Sequence, residues 1–320
     1  MTNLTPSIIY EDASILVINK PSGLVVNRAD SVREKTTVMD WIWSAGRFAD
    51  RHEMLGAKPP AVQIPPKGTG AFLSRSASPV FREMADGVPK ALPDFYEKAS
   101  EFEMRVGVVH RLDKGTSGVM VIAKTKEAFE NLQKQFKERS VQKEYLALVH
   151  SDKSEVSDVS EFSDLSFIVD APIGRNPKNR MKWAVVEGGR SAVTEFSFIS
   201  LHELVNSHEM FGCKSSVQTP LKGTGAFLSR SVSPDGKYAL LRCIPKTGRT
   251  HQIRVHLAAV NCPVVCDKLY LSRKDYKSDS KWCPRIFLHA EKIGFKHPGS
   301  GEDVTFEAEL SGDLKDVCKI

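Results

Sequence analysis

The stretch His110-Arg111-Leu112-Asp113-Lys114-Gly115-Thr116-Ser117-Gly118 sets an acid between cations, and it is bounded by two apolar runs, residues 106–110 and 118–123. Both runs are rich in Val and Ile, which favours pleated backbone, so the spacing predicts a strand, a tight loop and a second strand. Asp113 is the residue such a loop would present. A carboxylate beside Arg111 and Lys114 stays ionised, which suits a nucleophile or an electrostatic stabiliser. A turn aspartate bonding its own backbone is the competing reading. The loop alone does not decide between them.

Working outward, residues 7–20 are strand-like and end at Pro21, and residues 37–44 form a short helix. Residues 47–104 read as irregular and largely inserted. Residues 126–139 are an amphipathic helix with Phe129, Leu132 and Phe136 on one face. Residues 145–149, 194–199, 238–243 and 287–295 read as strands. Residues 249–260 begin extended and turn helical. If residues 251–256 are extended, Gln252, Arg254 and His256 share one face and His251 and Val255 the other. Helices and strands mix without a regular βαβ alternation, which indicates an α+β domain with a large mixed sheet.

The 320 residues are 41% hydrophobic and 26% charged, which excludes a disordered tail, a collagen-like fibre and a disulfide scaffold. No stretch reaches the roughly 18 apolar residues of a membrane helix, and no basic, apolar leader opens the chain. A cytoplasmic protein is expected. The 6 cysteines then read as reduced thiols. Cys262 and Cys266 lack the second ligand pair that zinc needs, so no metal is expected.

The net charge of +6 is mostly contributed by a repeated segment. Residues 51–79 and 207–234 are near-copies whose tails from Lys67 and Lys222 differ only at Ala77 versus Val232. Their Pro and Gly spacing disfavours helix or central strand, so both read as surface insertions, the second at a hairpin tip between residues 194–199 and 238–243. Their Lys-Gly-Thr-Gly core lacks the order of a phosphate loop. Residues 152–170 are acidic and read as a solvated loop. Arg175, Lys178, Arg180, Lys182 and Arg190 follow, and a second basic cluster runs from Lys246 through Arg249, His251 and Arg254 to His256. Patches of this kind can track a phosphate backbone.

Taken in order, several stretches resemble the RluA family of RNA pseudouridine synthases. They are residues 15–26 (Ile-Leu-Val-Ile-Asn-Lys-Pro-Ser-Gly-Leu-Val-Val), Val109-His110-Arg111-Leu112-Asp113 with Thr116-Ser117-Gly118, and Lys143-Glu144-Tyr145-Leu146-Ala147. Ala192-Val193-Thr194, residues 247–257, Phe287-Leu288-His289-Ala290 and His297-Pro298 complete the series. The resemblance implies a pseudouridine-synthase-like domain, with a mainly antiparallel mixed sheet and a central active-site cleft, formed by residues 1–320 as a single catalytic domain. It implies isomerisation of uridine to pseudouridine without metal or cofactor, in large-subunit ribosomal RNA or, failing that, transfer RNA. A monomer is expected, with no membrane partner. An RNA-binding or assembly protein without catalysis is the alternative from another class.

By resemblance, Asp113 is the catalytic aspartate, Tyr145 the tyrosine that stacks on the base, and Arg254 the arginine that keeps the aspartate ionised. Arg111 matches the side chain that fills the space of a flipped-out base. Arg175, Lys178, Arg180, Lys182 and Arg249 are the candidate RNA contacts. The matched series opens with the catalytic domain and not a small RNA-binding domain, so RNA affinity is expected from that domain's own surface. Three departures stand out: Asn27-Arg28 where His-Pro is common, Gly115 for a frequent Asp, and Cys266 where a Gly is common.

Overall fold

The computed structural model describes residues 4–27, 36–44, 100–150, 166–199, 219–220, 227–228 and 238–318. The chain forms two compact units. One holds Met1–Lys114, Met120–Lys137 and His297–Glu302; the other holds Gly115–Val119, Glu138–Lys296 and Asp303–Ile320.

In the first unit the strand-like residues 7–20 are a hairpin of β1 (Ser7–Glu11) and β2 (Ile15–Lys20), paired antiparallel. Asp12 makes the turn, its Oδ1 accepting from the amides of Ser14 and Ile15 at 2.7 Å each. β2 lies beside β3 (Ser117–Ala123), whose residues are buried throughout. Helix α1 (Val38–Ser44) is capped by Thr37, whose hydroxyl and amide both donate to Asp40.

Residues 106–110 are not the expected strand. A helix, α2 (Glu101–Arg105), precedes them, opened by a capping box between Ser100 and Glu103. It ends at Val106 with φ +50°, followed by Gly107 at φ +68°. A Cβ on Gly107 would run into the carbonyl of Ala123, so the chain turns here because glycine permits it. Only an isolated bridge from Val108 to Ile122 remains of strand pairing. Helix α3 (Lys126–Glu138) buries Ala128, Phe129 and Leu132, and Phe136 stacks on His110 at 4.9 Å.

In the second unit, β12 (Leu288–Lys296), β4 (Gln142–His150), β11 (Tyr238–Pro245), β8 (Val193–Phe198) and β5 (Ser166–Asp170) pair antiparallel in that order. β13 (Asp303–Glu307) also pairs antiparallel with β12, while β3 joins β12 in parallel, Ser117 opposite His289. The sheet is therefore mixed and mainly antiparallel, in an α+β fold. Side chains alternate between its faces. Tyr145, Ala147 and Val149 of β4 join Leu241 and Cys243 of β11 in one core, while Leu146 and Leu148 join Leu240 in another. Both faces are covered, which is why these strands read as near-continuous apolar runs.

Helix α4 (Gln252–Ala259) lies on the first of these cores through Ile253 and Leu257. The extended start expected for residues 251–256 is corrected: His251, at φ +56°, turns the chain, and the helix begins at Gln252. Helices α5 (Arg273–Asp279) and α6 (Gly312–Val317) follow, and β6 (Ile173–Arg175) pairs with β7 (Trp183–Val185) in a separate hairpin.

β8 and β11 pair directly, so the second repeated segment interrupts the connection of an antiparallel pair, where the sequence places it. Within that segment β9 (Thr219–Pro220) and β10 (Phe227–Leu228) form a short ladder that its Pro/Gly spacing did not suggest. The first segment, residues 51–79, lies outside the described residues, as do residues 151–165 of the acidic stretch; residues 166–170 are β5 and not loop.

Candidate active site

The loop of residues 110–117 is built from both ends. At its start, His110 Nε2 accepts from the amide of Val121 at 3.1 Å. Leu112 is buried and Asp113 half-buried between exposed Arg111 and Lys114. The Lys114 carbonyl accepts from the Gly23 amide at 2.8 Å. Lys20, fully buried, spreads its ammonium over the carbonyls of Leu24 at 2.8 Å, Pro21 at 3.0 Å and Lys114 at 3.5 Å. A buried cation is costly unless its donors are all taken. Here they gather the backbone on both sides of the Ser22-Gly23 turn and just after Asp113. Lys20 was missed as a site residue, although it stands in a quoted motif.

At the loop's far end, β3 approaches β12 so closely that a Cβ on Gly118 would run into the Ala290 carbonyl; Gly118 has φ +119°. A Cβ on Gly115 would meet Ile286 Cγ2 at 2.7 Å, so Ile286 occupies the room that the frequent Asp would need.

The second unit carries the other two candidates. Tyr145 is half-buried on β4, opposite Cys243 on β11, and packs against the core that holds Ile253. Arg254 is 8% exposed. Its Nε and Nη2 donate to the two oxygens of Asp267 at 2.7 and 2.8 Å, and its guanidinium lies 5.1 Å from the Tyr270 ring. Asp267 is fully buried and also accepts from the amides of Leu269 and Tyr270. Nothing in the sequence reading pointed to this bidentate pair, for of residues 266–270 it singled out only Cys266. Asp267 fixes the orientation of Arg254, because a planar fork on a carboxylate admits one geometry.

Arg249 donates from Nε to the Ser191 carbonyl at 3.0 Å. The hairpin cations sit on a turn wired by Asn176, whose Oδ1 accepts from the amides of Lys178 and Asn179. Arg175 stacks over Trp183 at 4.4 Å and holds the Arg180 carbonyl, while Met181 is 79% exposed at the tip. Tyr270 ties this hairpin to the start of α4: its hydroxyl accepts from the Trp183 amide and stands 3.0 Å from His251 Nδ1.

Cys266 has φ +58°, the left-handed backbone that glycine adopts without cost. This is the conformation its reading as a Gly replacement requires. Its thiol donates to the Cys283 carbonyl at 3.0 Å. Among the described residues, no group of three or more His, Cys, Asp or Glu side chains converges as metal ligands, and no helix is long and apolar enough to cross a membrane.

Comparison with known proteins bears on these positions. A family model described as RNA pseudouridylate synthase matches residues 14–259. A ribosomal large subunit pseudouridine synthase D from Zymomonas mobilis is 30% identical over 98% of this chain and 72% of its own length. An uncharacterized RNA pseudouridine synthase from Chloroflexus aurantiacus is 36% identical over 68% of this chain and 54% of its own length. The chain thus spans between about half and three quarters of these relatives. The structure of human RNA pseudouridylate synthase domain containing 1 matches with a TM-score of 0.51 over 99% of this chain and 95% of its own, at 18% identity, a likeness of fold. With a family match running from β2 to the end of α4, and with the motifs in the order their resemblance to the RluA group required, the chain belongs to the RNA pseudouridylate synthase family.

Proposed function

We propose that this chain isomerises uridine to pseudouridine in large-subunit ribosomal RNA, with Asp113 as the group that acts on the reacting nucleotide. The observation that carries the reading is the match over residues 14–259, inside which Asp113, Tyr145 and Arg254 all fall. The match takes in residues of both units, which supports treating them as one catalytic domain. In this reaction the bond from uracil N1 to the ribose C1′ breaks, the base turns, and C5 bonds to C1′. The C5 proton is then lost to a base and N1, freed from the ribose, takes up a proton, so that product and substrate are isomers. A carboxylate on a loop pinned by Lys20 and Gly23 suits attack or charge stabilisation at the reacting centre. Tyr145, half-buried against the apolar core, offers an aromatic surface on which the turning uracil is held. Arg254, held in one orientation by Asp267, is the arginine that the resemblance pairs with Asp113.

The names of the relatives support ribosomal RNA as the substrate, which also supports a cytoplasmic site of action. Arg175, Lys178, Arg180 and Lys182 present charge around an exposed Met181, an arrangement suited to phosphate contacts beside an apolar wedge. Arg111 is exposed on the loop, as a side chain entering the space of a flipped base must be.

The test is tritium release from transcripts carrying [5-³H]uridine, large-subunit ribosomal RNA set against transfer RNA. Asp113→Asn keeps the shape and removes the charge, so release should fall at least a thousandfold while RNA binding stays within twofold. Residual activity within tenfold of the parent overturns the role of Asp113. Release from transfer RNA alone would move the substrate, and release from neither would leave a binding protein without catalysis.

A further inference from the structure

Four residues past Asp113, Ser117 enters a chain of hydrogen bonds that the reaction as described does not use. Ser117 Oγ lies 2.9 Å from His289 Nδ1 and 3.0 Å from Arg285 Nη2. His289 Nε2 lies 2.9 Å from the Ala308 carbonyl. The carbonyl can only accept, so Nε2 carries the ring proton and Nδ1 accepts. The Ser117 hydroxyl therefore donates to His289 and turns its lone pairs to Arg285. Every bond in the chain has one direction. Arg285 is in turn held by Asp313 of α6, Nε to Oδ2 at 2.6 Å and Nη2 to Oδ1 at 3.1 Å, and by the Ser311 hydroxyl. The same short segment, residues 285–290, also sets Ile286 against Gly115 and the Ala290 carbonyl against Gly118.

We propose that Arg285 is a positioning residue for the loop bearing Asp113. It acts through the Ser117 hydroxyl, with Asp313 holding the guanidinium in place. Three of the four positions from 115 to 118 (115, 117 and 118) rest on residues 285–290, so that segment is the template on which the loop's exit is laid. Of the template's contacts, the Arg285–Asp313 pair is the one on the surface: the Asp313 side chain is 43% exposed and that of Arg285 14%. Removing it should loosen the loop without opening the core. A catalytic group displaced by a fraction of an ångström loses rate and not substrate affinity.

The inference rests on the proposed reaction, and its test separates the two. The full chain and its Arg285→Met, Ser117→Ala and double variants are assayed by single-turnover tritium release from [5-³H]uridine large-subunit ribosomal RNA. RNA affinity is measured by filter binding, and amide hydrogen exchange is followed over residues 113–117. Arg285→Met should lower the single-turnover rate about tenfold, leave RNA affinity within twofold, and speed exchange at residues 113–117 at least fivefold. In the Ser117→Ala background, the same substitution should cost less than twofold, because the connection it acts through is gone. Two losses that multiply, a loss of affinity in place of rate, or unchanged exchange would each overturn the proposal. If Arg285→Met does not fold, Asp313→Asn releases the same guanidinium from an exposed carboxylate and should slow turnover three- to fivefold. Wild-type protein that releases no tritium from any RNA would count against the proposed reaction, and the exchange measurement still decides the role of Arg285.

Discussion

Two buried histidines of the second unit sit in cradles of the same design. His256 on α4 stands 3.0 Å from the Ala171 carbonyl through Nε2 and 2.9 Å from the Thr194 hydroxyl through Nδ1; His289 on β12 stands 2.9 Å from Ala308 and 2.9 Å from Ser117 in the same way. In both, a hydroxyl passes its proton to the ring and accepts a bond from behind. The difference lies in that last donor. Behind Thr194 it is the amide of Gln252, neutral and buried, itself held by Val193, Thr247 and Arg249. Behind Ser117 it is the guanidinium of Arg285, whose partner Asp313 reaches solvent. One cradle closes on the interior and the other on a charge at the surface. A neutral closure resists salt, while a charged one makes the loop beside it responsive to it.

The largest effect should come from opening the closed side. Arg254 shares α4 with His256, and its charge is neutralised by a fully buried carboxylate. Arg254→Met should destabilise the fold by about 3–5 kcal/mol, because Asp267 is left charged and unpaired away from water. Urea unfolding measures this. A loss below about 1 kcal/mol would mean that water reaches Asp267 and the side is not closed. The pair also means that a fall in activity in this variant does not by itself report on Asp113.

A middle-sized effect follows from His289. Burial pushes its pKa down to about 4, from an ordinary value near 6.5. Below about pH 6.5 the unfolded chain gains a proton that the folded ring refuses, so stability is complete above that pH and falls as pH drops toward 4. Between pH 7 and pH 5 the loss from this group is about 2 kcal/mol. His256 is shifted down by burial too, with the Ala171 carbonyl working against it, and adds in the same direction. In His289→Gln the decline over this range should shrink by about 2 kcal/mol, read from urea midpoints at the two pH values. An unchanged decline would show that the His289 cradle opens in the folded protein.

The smallest effect distinguishes the two closures by salt. Asp313→Asn removes a partly exposed ion pair and should cost at most about 0.5 kcal/mol, vanishing by 1 M salt. Thr194→Val strips the interior cradle of its hydroxyl and should cost about 1.5 kcal/mol at any salt concentration. A Thr194 penalty that fades with salt, or an Asp313 penalty that does not, would erase the contrast.

What the sequence disclosed follows from how far apart partners stand in the chain. Strands β4, β11 and β12 were legible because alternation is local and both faces are apolar. Helix α4 was half-legible: Gln252 through Leu257 are all buried, so no polar face marks its turn, and Ile253, Val255 and Leu257 mimic the period of a strand. The run at residues 106–110 misled for a related reason. Its Val residues pack against β3 as coil, after a left-handed Val106 and Gly107. Asp113, Tyr145 and Arg254 stood out through ordered motifs. Their supports did not: nothing local marks Asp267 as the partner of Arg254, and Arg285 is an ordinary arginine until the fold brings it to a serine 168 positions earlier.

The parallel bridge from Ser117 to His289 joins residues 172 apart. A growing chain exposes the loop of residues 110–117 long before it contains the segment that the loop's exit is laid upon. At a synthesis rate of about 5–20 residues per second, that interval is roughly ten to thirty seconds. Closure of so distant a contact is also among the slower steps of folding. While it is being made, the chain therefore carries this loop without the segment on which its exit is laid, and that support arrives only when β12 and α6 have left the ribosome.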